Sequence, residues 1–443
     1  MTLGAAVAHT PRAMHVCAVT RSLLGASLAL LLGCGSAPTD ATDAGADARA
    51  DGATTRDAPT SVYRDVPLVD DRFLEHEWDT IRRMSPIPAP YPDPTNRYAD
   101  DPRAAALGRR LFDDMGFSGD GTVSCAGCHL ERRAFTDGLP VAVAQRVMAR
   151  GRRNTPTVTH VAWSREVLWD GAADAPWAQP ILALENPREH AFTRVAMTAR
   201  LAEVYRAEYE ALFGPLPPVE DRDRFPRDAR PGVGSWDAMR PEDREAVNRA
   251  AANFGKAIQA FERTLRPTAG AFDRYVAGDR GAMSPEARDG LQLFFRVGCI
   301  HCHTGPMFTD GDFHALRWPD DEMNGADRGR FAALEDLATS PFRADGPLSD
   351  DRAAFPAPPA PRVDFVGAFR TPSLRDVALT APYGHAGTVP SLDAVVRLDA
   401  RGGLVPADAR ATGVRTPLLM PFTPTSTEIA ALVAFLRALT SGS

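Results

Sequence analysis

A mainly α-helical fold in two domains is what this 443-residue chain predicts. Two short cysteine–histidine motifs lie far apart, helical apolar stripes lead into both, and nothing reads as a regular run of strands. Before the first motif, Leu107, Leu111 and Phe112 make a one-sided stripe. Val247, Phe254, Ile258, Phe261 and Leu265 then fit a long amphipathic helix. Ser284-Pro285 reads as an N-cap with proline at the first helical position, ahead of Leu291 and Phe294. Near the end, Thr425 and Glu428 form a capping box before Ile429, Leu432, Val433 and Leu436. The boundary falls between Leu265 and Ser284, which gives domains of 73–275 and 276–443.

Composition narrows the function. Apolar content of 44% and charged content of 24% are ordinary for a globular protein. A net charge of −7 with no basic stripe argues against nucleic acid as a partner. Lys256 is the only lysine, so nearly all positive charge is arginine. At the front, Arg12 and Arg21 precede an apolar run from Leu23 to Leu32 that is too short to span a bilayer permanently. This reads as a secretory signal over 1–33, of more usual length if translation starts at Met14. Leu31-Leu32-Gly33-Cys34 resembles a bacterial lipobox, with Cys34 as the acylated residue. The localisation expected is periplasmic, lipid-anchored to a Gram-negative membrane through that group alone. Residues 34–72 are rich in Ala, Asp, Thr and Pro and read as a disordered tether.

Four cysteines remain after Cys17 and Cys34, and they form two pairs each followed by histidine. Cys125-Ala126-Gly127-Cys128-His129 is the first and Cys299-Ile300-His301-Cys302-His303 the second. The C-x-x-C-H pattern reads as haem c attachment. Two thiols bond the vinyl groups, and the adjacent histidine is held against the iron as proximal ligand. A zinc site would want its ligands to converge in one tetrahedron, and a redox dithiol needs no trailing histidine twice. The fold class is therefore mainly α, with two cytochrome c-like haem domains and long loops.

Further blocks follow in a telling order. Arg153-Asn154-Thr155-Pro156-Thr157 and Leu168-Trp169-Asp170-Gly171 come after the first motif, and Phe308-Thr309-Asp310 after the second. Phe369-Arg370-Thr371-Pro372-Ser373-Leu374-Arg375 leads into Thr380-Ala381-Pro382-Tyr383-Gly384-His385-Ala386-Gly387. With these blocks the chain, from about residue 95, resembles the bacterial dihaem cytochrome c peroxidases, including the dihaem enzyme that matures methylamine dehydrogenase. The resemblance implies that the first haem is the peroxide site and the second receives electrons. It implies that Gln179 and Glu189 stand over the first haem and that Trp169 relays electrons between the two. A carboxylate there suits O–O cleavage, which needs one peroxide proton taken and returned. It implies a calcium ion held by Asn154, Thr380 and Pro382, against the plainer reading of turn chemistry. Hydrogen peroxide, a small electron-donor protein (a cytochrome c or a copper protein) and a second copy in a homodimer are the implied partners.

Three functions compete: a peroxidase, a dihaem oxidase that uses peroxide on residues of a partner protein, and a plain electron-transfer cytochrome. Departures from the family pattern bear on the choice. Asp399 stands where the family places methionine or tyrosine on the second haem, so Asp399, Met420, His385 or water is the candidate sixth ligand. His160 and His190 are unassigned imidazoles. No histidine occurs between Leu130 and Arg150, where many of these peroxidases carry one that caps the first haem. The first haem is therefore expected to be five-coordinate or water-bound as isolated. A ferric spectrum with both haems low-spin, and reactivity only after one-electron reduction, would overturn this.

Overall fold

The helices that run into the two motifs start for the same local reason. Pro102–Asp113 is capped by Asp101, whose carboxylate accepts from the Arg103 amide. Pro285–Arg296 is capped by Ser284, whose hydroxyl accepts from the Ala287 amide. Both put proline in the first turn, where a missing N–H costs nothing. A computed structural model describes residues 67–144 and 149–443. The chain divides into a unit Met1–Arg64 and a unit Asp65–Ser443, and every described residue belongs to the second. The expected signal, Cys34 and the tether as far as residue 66 lie outside the described residues.

Each leading helix is crossed by a later one. Pro241–Glu262 packs on Pro102–Asp113, and Ser426–Arg437 packs on Pro285–Arg296. The later of these carries the expected Thr425–Glu428 capping box. Both crossings are close. A Cβ on Gly108 would stand 1.9 Å from the Ala257 carbonyl oxygen, and one on Gly290 1.9 Å from that of Ala431. Only glycine permits backbones to approach this far.

Two apolar cores form around these pairs. Leu107, Phe112, Phe117, Trp177, Phe254 and Phe261 belong to the first. Phe272, Leu291, Phe294, Phe308, Leu432 and Phe435 belong to the second. Each buried ring contributes about 1.5–3 kcal/mol of transfer free energy. The chain does not segregate cleanly between them. Phe73, Trp78, Ile81 and Met84, at the head of the 73–275 span, pack into the second core. Phe342, Ala344 and Leu348 from the later half join the first. The last residues of the expected tether are also docked: Val69 bridges to Phe73, and the Asp70 carboxylate accepts from Tyr275 and, at 3.3 Å, from Arg288. One backbone bridge and two side-chain partners, a hydroxyl and a guanidinium, give this segment the anchorage that its composition hid.

The fold is mainly helical with little strand. Among the described residues, Val143–Ala144 pairs with Ala149–Arg150 and Phe313–His314 with Phe369–Arg370, both antiparallel. Buried ion pairs pin the long loops. Arg153 binds Asp170 at 2.5 Å and Asp327 at 2.8 Å. Arg375, 1% exposed, binds Asp273 through both terminal nitrogens at 2.6 and 3.0 Å. The one lysine, Lys256, is buried, with its ammonium 2.9 Å from both the Leu348 carbonyl and Asp350. No described helix is long and apolar enough to cross a membrane.

The glycine crossings generate a stability prediction. Gly290→Ala should lower unfolding free energy by about 1–3 kcal/mol, the usual cost of an overpacked core. The measurement is the urea midpoint, and a midpoint equal to wild type would contradict the crossing.

Candidate functional site

Both C-x-x-C-H segments wind into single turns, Cys125–Cys128 and Cys299–His301. Each turn hands its chain to a histidine whose ring is tied from behind. His129 Nδ1 lies 3.0 Å from the Phe135 carbonyl oxygen, and His303 Nδ1 lies 2.9 Å from that of Phe308. A carbonyl only accepts, so Nδ1 carries the hydrogen and Nε2 keeps its lone pair. Burial lowers both imidazole pKa values, which keeps the rings neutral. The four cysteines are free. Burial pushes Cys128 up to about 11, Cys299 up to about 12 and Cys125 upward too. Such thiols are not the thiolates of an exposed redox pair.

Cys125, Cys128, His129, Cys302 and His303 all line one cavity of about 760 Å³. Two thiols and a neutral imidazole with a free Nε2 are the donors that a covalent haem c needs. The residues therefore fit that group at both motifs.

The same cavity receives Gln179, Glu189, Trp169, Asn154, Thr380 and Pro382. Gln179 opens the helix Gln179–Glu185, and Glu189 lies in the turn beyond it. The Gln179 carboxamide has no hydrogen-bond partner among the described residues. Glu189 accepts from Asn186 Nδ2 at 2.7 Å. Burial raises its pKa to about 7, against a smaller downward pull from Asn186. Trp169 Nε1 donates to the Asn154 carbonyl at 2.9 Å. Asn154 is tied to the 380–387 segment, since its amide donates to the His385 carbonyl at 2.8 Å. Its Nδ2 donates to the Leu139 carbonyl at 2.8 Å, which leaves the carboxamide oxygen free to meet a cation. Thr380 Oγ1 donates to Val377 at 3.1 Å.

The unassigned residues separate. His190 Nδ1 is 3.0 Å from the Phe117 carbonyl, and burial lowers its pKa. His160 is buried and its Nε2 has no partner. Of the sixth-ligand candidates, Asp399 faces the cavity and accepts from Trp318 Nε1 at 2.8 Å. Burial raises Asp399 to about 7. His385 lines the cavity too, but its Nε2 is 2.9 Å from Asp320 and its ring stacks on Phe369 at 3.8 Å. Met420 is 54% exposed and does not line the cavity.

Three features escaped the sequence reading. Glu262 is 3% exposed, lines the cavity without a hydrogen-bond partner among the described residues, and is raised by burial to about 8. It sits four residues after Ile258 on the apolar face of its helix, and a carboxylate at that spacing was the available signal. His314 Nε2 is 2.8 Å from Asp310, which holds the imidazole protonated well above its ordinary range. Cys302, a cysteine of the second C-x-x-C-H motif, joins them within 4.8 Å as a metal-like trio. Arg370, within a block quoted above, lines the cavity as well.

Comparison with known proteins agrees with this geometry. The sequence profile of the di-haem cytochrome c peroxidase family matches residues 102–281. The chain is 32% identical to cytochrome-c peroxidase IdrP1 of Denitromonas iodatirespirans, over 80% of this chain and 86% of that one. It is 30% identical to methylamine utilization protein MauG of Methylorubrum extorquens, over 80% of each. Among solved structures, it resembles a MauG-like protein associated with microbial copper homeostasis, with a TM-score of 0.57 and 27% identity. That match covers 80% of this chain and 95% of the other.

The Asn186–Glu189 bond makes a prediction. Asn186→Ala removes the one donor that lowers Glu189 and should move its titration above about 7. Infrared detection of the protonated carboxyl across a pH series reads the change. An unshifted or lowered midpoint would show that the bond does not act on the ionised form.

Proposed function

The chain belongs to the di-haem cytochrome c peroxidase family, and on that premise we propose that it is an exported enzyme reducing hydrogen peroxide to water. The observation that carries the reading is the convergence of Glu189 and Gln179 on a cavity shared with Cys125, Cys128 and His129. A protein that only relays electrons needs neither group there.

In this reading His129 and His303 are proximal ligands of two haems, attached through Cys125 and Cys128 and through Cys299 and Cys302. Two haem-bearing domains then share the molecule. Haem iron, when bound, supplies the electron-transfer chemistry that peroxide cleavage requires. The protein moves the protons. Glu189, ionised in part near pH 7, takes one from the proximal peroxide oxygen and returns it to the leaving oxygen. Gln179 orients the substrate by hydrogen bonding, as its unpaired carboxamide allows. Trp169 carries electrons between the two halves, since its indole is tied to Asn154 and its carbonyl to the Arg370 amide at 2.7 Å. Electrons enter on the side of the second motif from a small donor protein, a cytochrome c or a copper protein.

Calcium, bound by Asn154, Thr380 and Pro382, would rigidify the junction between the segments that carry these groups. Asp399 is the side chain of the three candidates with an oxygen free to face the second haem. Export through the signal at 1–33 and anchoring through Cys34 complete the proposal, with a homodimer as the assembly.

One observation favours a second reading, in which peroxide is used to oxidise residues of a partner protein. The segment from Leu130 to Arg150 offers no histidine that would cap the first haem.

Steady-state peroxide turnover with a reduced cytochrome c or copper-protein donor tests the proposal. Glu189→Gln should lower turnover by about two to four orders of magnitude, the usual worth of a general acid–base group. Haem content should stay normal, because Glu189 is not a haem attachment residue. The wild-type rate should rise with pH through about 7 as the carboxylate ionises. A variant within a few-fold of wild type would remove Glu189 from the mechanism.

A further inference from the structure

Arg370 lies in the cavity wall with nothing to neutralise it. Its Nε is buried without a hydrogen-bond partner, and its terminal nitrogens bond to none of the described residues. The carboxylate that acts on it, Glu166, is spent on Arg330, whose Nη2 donates to it at 2.6 Å. A guanidinium has five donors and cannot escape its charge by losing a proton. Leaving such a group without an acceptor is expensive wherever its nitrogens are shielded from water, as Nε is here.

His160 lies within electrostatic reach of it and also has an unpartnered buried nitrogen. It is 8% exposed, its Nε2 has no partner, and burial drops its pKa to about 3. The other cation near it, Arg375, is fully engaged by Asp273 and by the Pro306 and Met84 carbonyls. One cation and one neutral imidazole thus border the same cavity, and neither side chain is satisfied by a partner among the described residues.

The backbone fixes which end of the cavity they serve. Arg370 immediately precedes Thr371-Pro372, and Pro372 reaches the His303 ring through its backbone. Thr309 Oγ1 donates to the Thr371 carbonyl at 2.6 Å, and the Thr371 amide donates to Asp312 at 2.9 Å. In the first half Pro156 reaches the His129 ring in the same way, and Asn154 holds the place two residues before it. Asn154 and Arg370 are therefore counterparts, each presented by a Thr-Pro pair that backs a motif histidine.

We infer that Arg370, with His160 beside it, is the receptor for a carboxylate, and that this carboxylate is a propionate of the haem attached at Cys299 and Cys302. The inference rests on the two-haem reading and adds a positioning pair to it. The propionates are the anionic groups of a haem, and an arginine fork matches a carboxylate with two parallel hydrogen bonds. A cation held there disfavours ferric iron, so it raises the potential of the second haem. The Arg370 amide also donates to the Trp169 carbonyl, which ties the strand that carries the guanidinium to the backbone of the tryptophan.

Spectroelectrochemical titration of the full-length protein, with haem counted as the pyridine haemochrome, tests this. Arg370→Gln should retain two haems and shift one ferric–ferrous equilibrium about tenfold toward ferric, which is about 59 mV for one electron. Arg370→Lys should restore most of the shift, and His160→Phe should move the same haem less. Resonance Raman should show the propionate bending mode of wild type altered in Arg370→Gln. Selective loss of the second haem in Arg370→Gln, with the first retained, would support the same assignment. Two loaded haems with unchanged potentials and bending modes would overturn it, as would a shift confined to the first haem. Wild-type potentials that move with added formate or phosphate would mean that the guanidinium takes a free anion, which also overturns it. A wild-type protein holding fewer than two haems would instead overturn the reading on which the inference stands.

Discussion

Everything that faces the cavity depends on two places where a glycine lets helices nearly touch. Gly108 meets the Ala257 carbonyl and Gly290 meets that of Ala431. In each case the helix that carries the glycine precedes a C-x-x-C-H turn, at once after Pro285–Arg296 and across a short connection after Pro102–Asp113. The partner helix supplies the wall behind it, with Phe261 on one side and Phe435 on the other. Remove the close approach and the turn loses its seat. The repetition is architectural, since both halves add the same carbonyl bond to the motif histidine and the same Thr-Pro backing.

The polar groups of the wall form a second layer of dependence. Glu189, Glu262 and Asp399 are carboxyl groups pushed upward by burial to about 7, 8 and 7. Arg370 and His160 are basic groups pushed downward. All lie along one cavity. Such perturbation costs stability and clusters where a site is built for a ligand. The structural ion pairs, Arg153 with Asp170 and Asp327 and Arg375 with Asp273, are by contrast satisfied, although Arg153, Asp170 and Arg375 line the same cavity. The protein thus closes its scaffold electrostatically while leaving its interior groups open.

Sequence alone reached the helices, because their caps and stripes are local signals. Ser284, Thr425 and Glu428 act as caps as their spacing predicts. The two C-x-x-C-H motifs were equally legible, being contiguous. What escaped was long-range. Phe73 to Met84 join the second core across nearly two hundred residues of chain, and no local pattern specifies that partner. Asp70 looked like part of a polar tether because Tyr275 and Arg288 are distant in sequence. Arg370 was visible as a letter in a block, but its lack of a counter-ion exists only after folding. Glu262 was legible in principle, as a charge on an apolar stripe.

Lys256 offers a different kind of consequence. The chain's only side-chain ammonium is buried against Leu348 and Asp350. Every basic side chain on the outside, apart from histidine, is then a guanidinium, which keeps its charge throughout the working pH range. Positive charge of this kind does not fade at any pH the fold would survive. An associating protein drawn to it would be released by added salt and by neutralising its own carboxylates, never by alkalinity acting on this side. Reagents that seek amines would likewise find no side chain here to acylate, so covalent capture of such an encounter must go through the carboxylates.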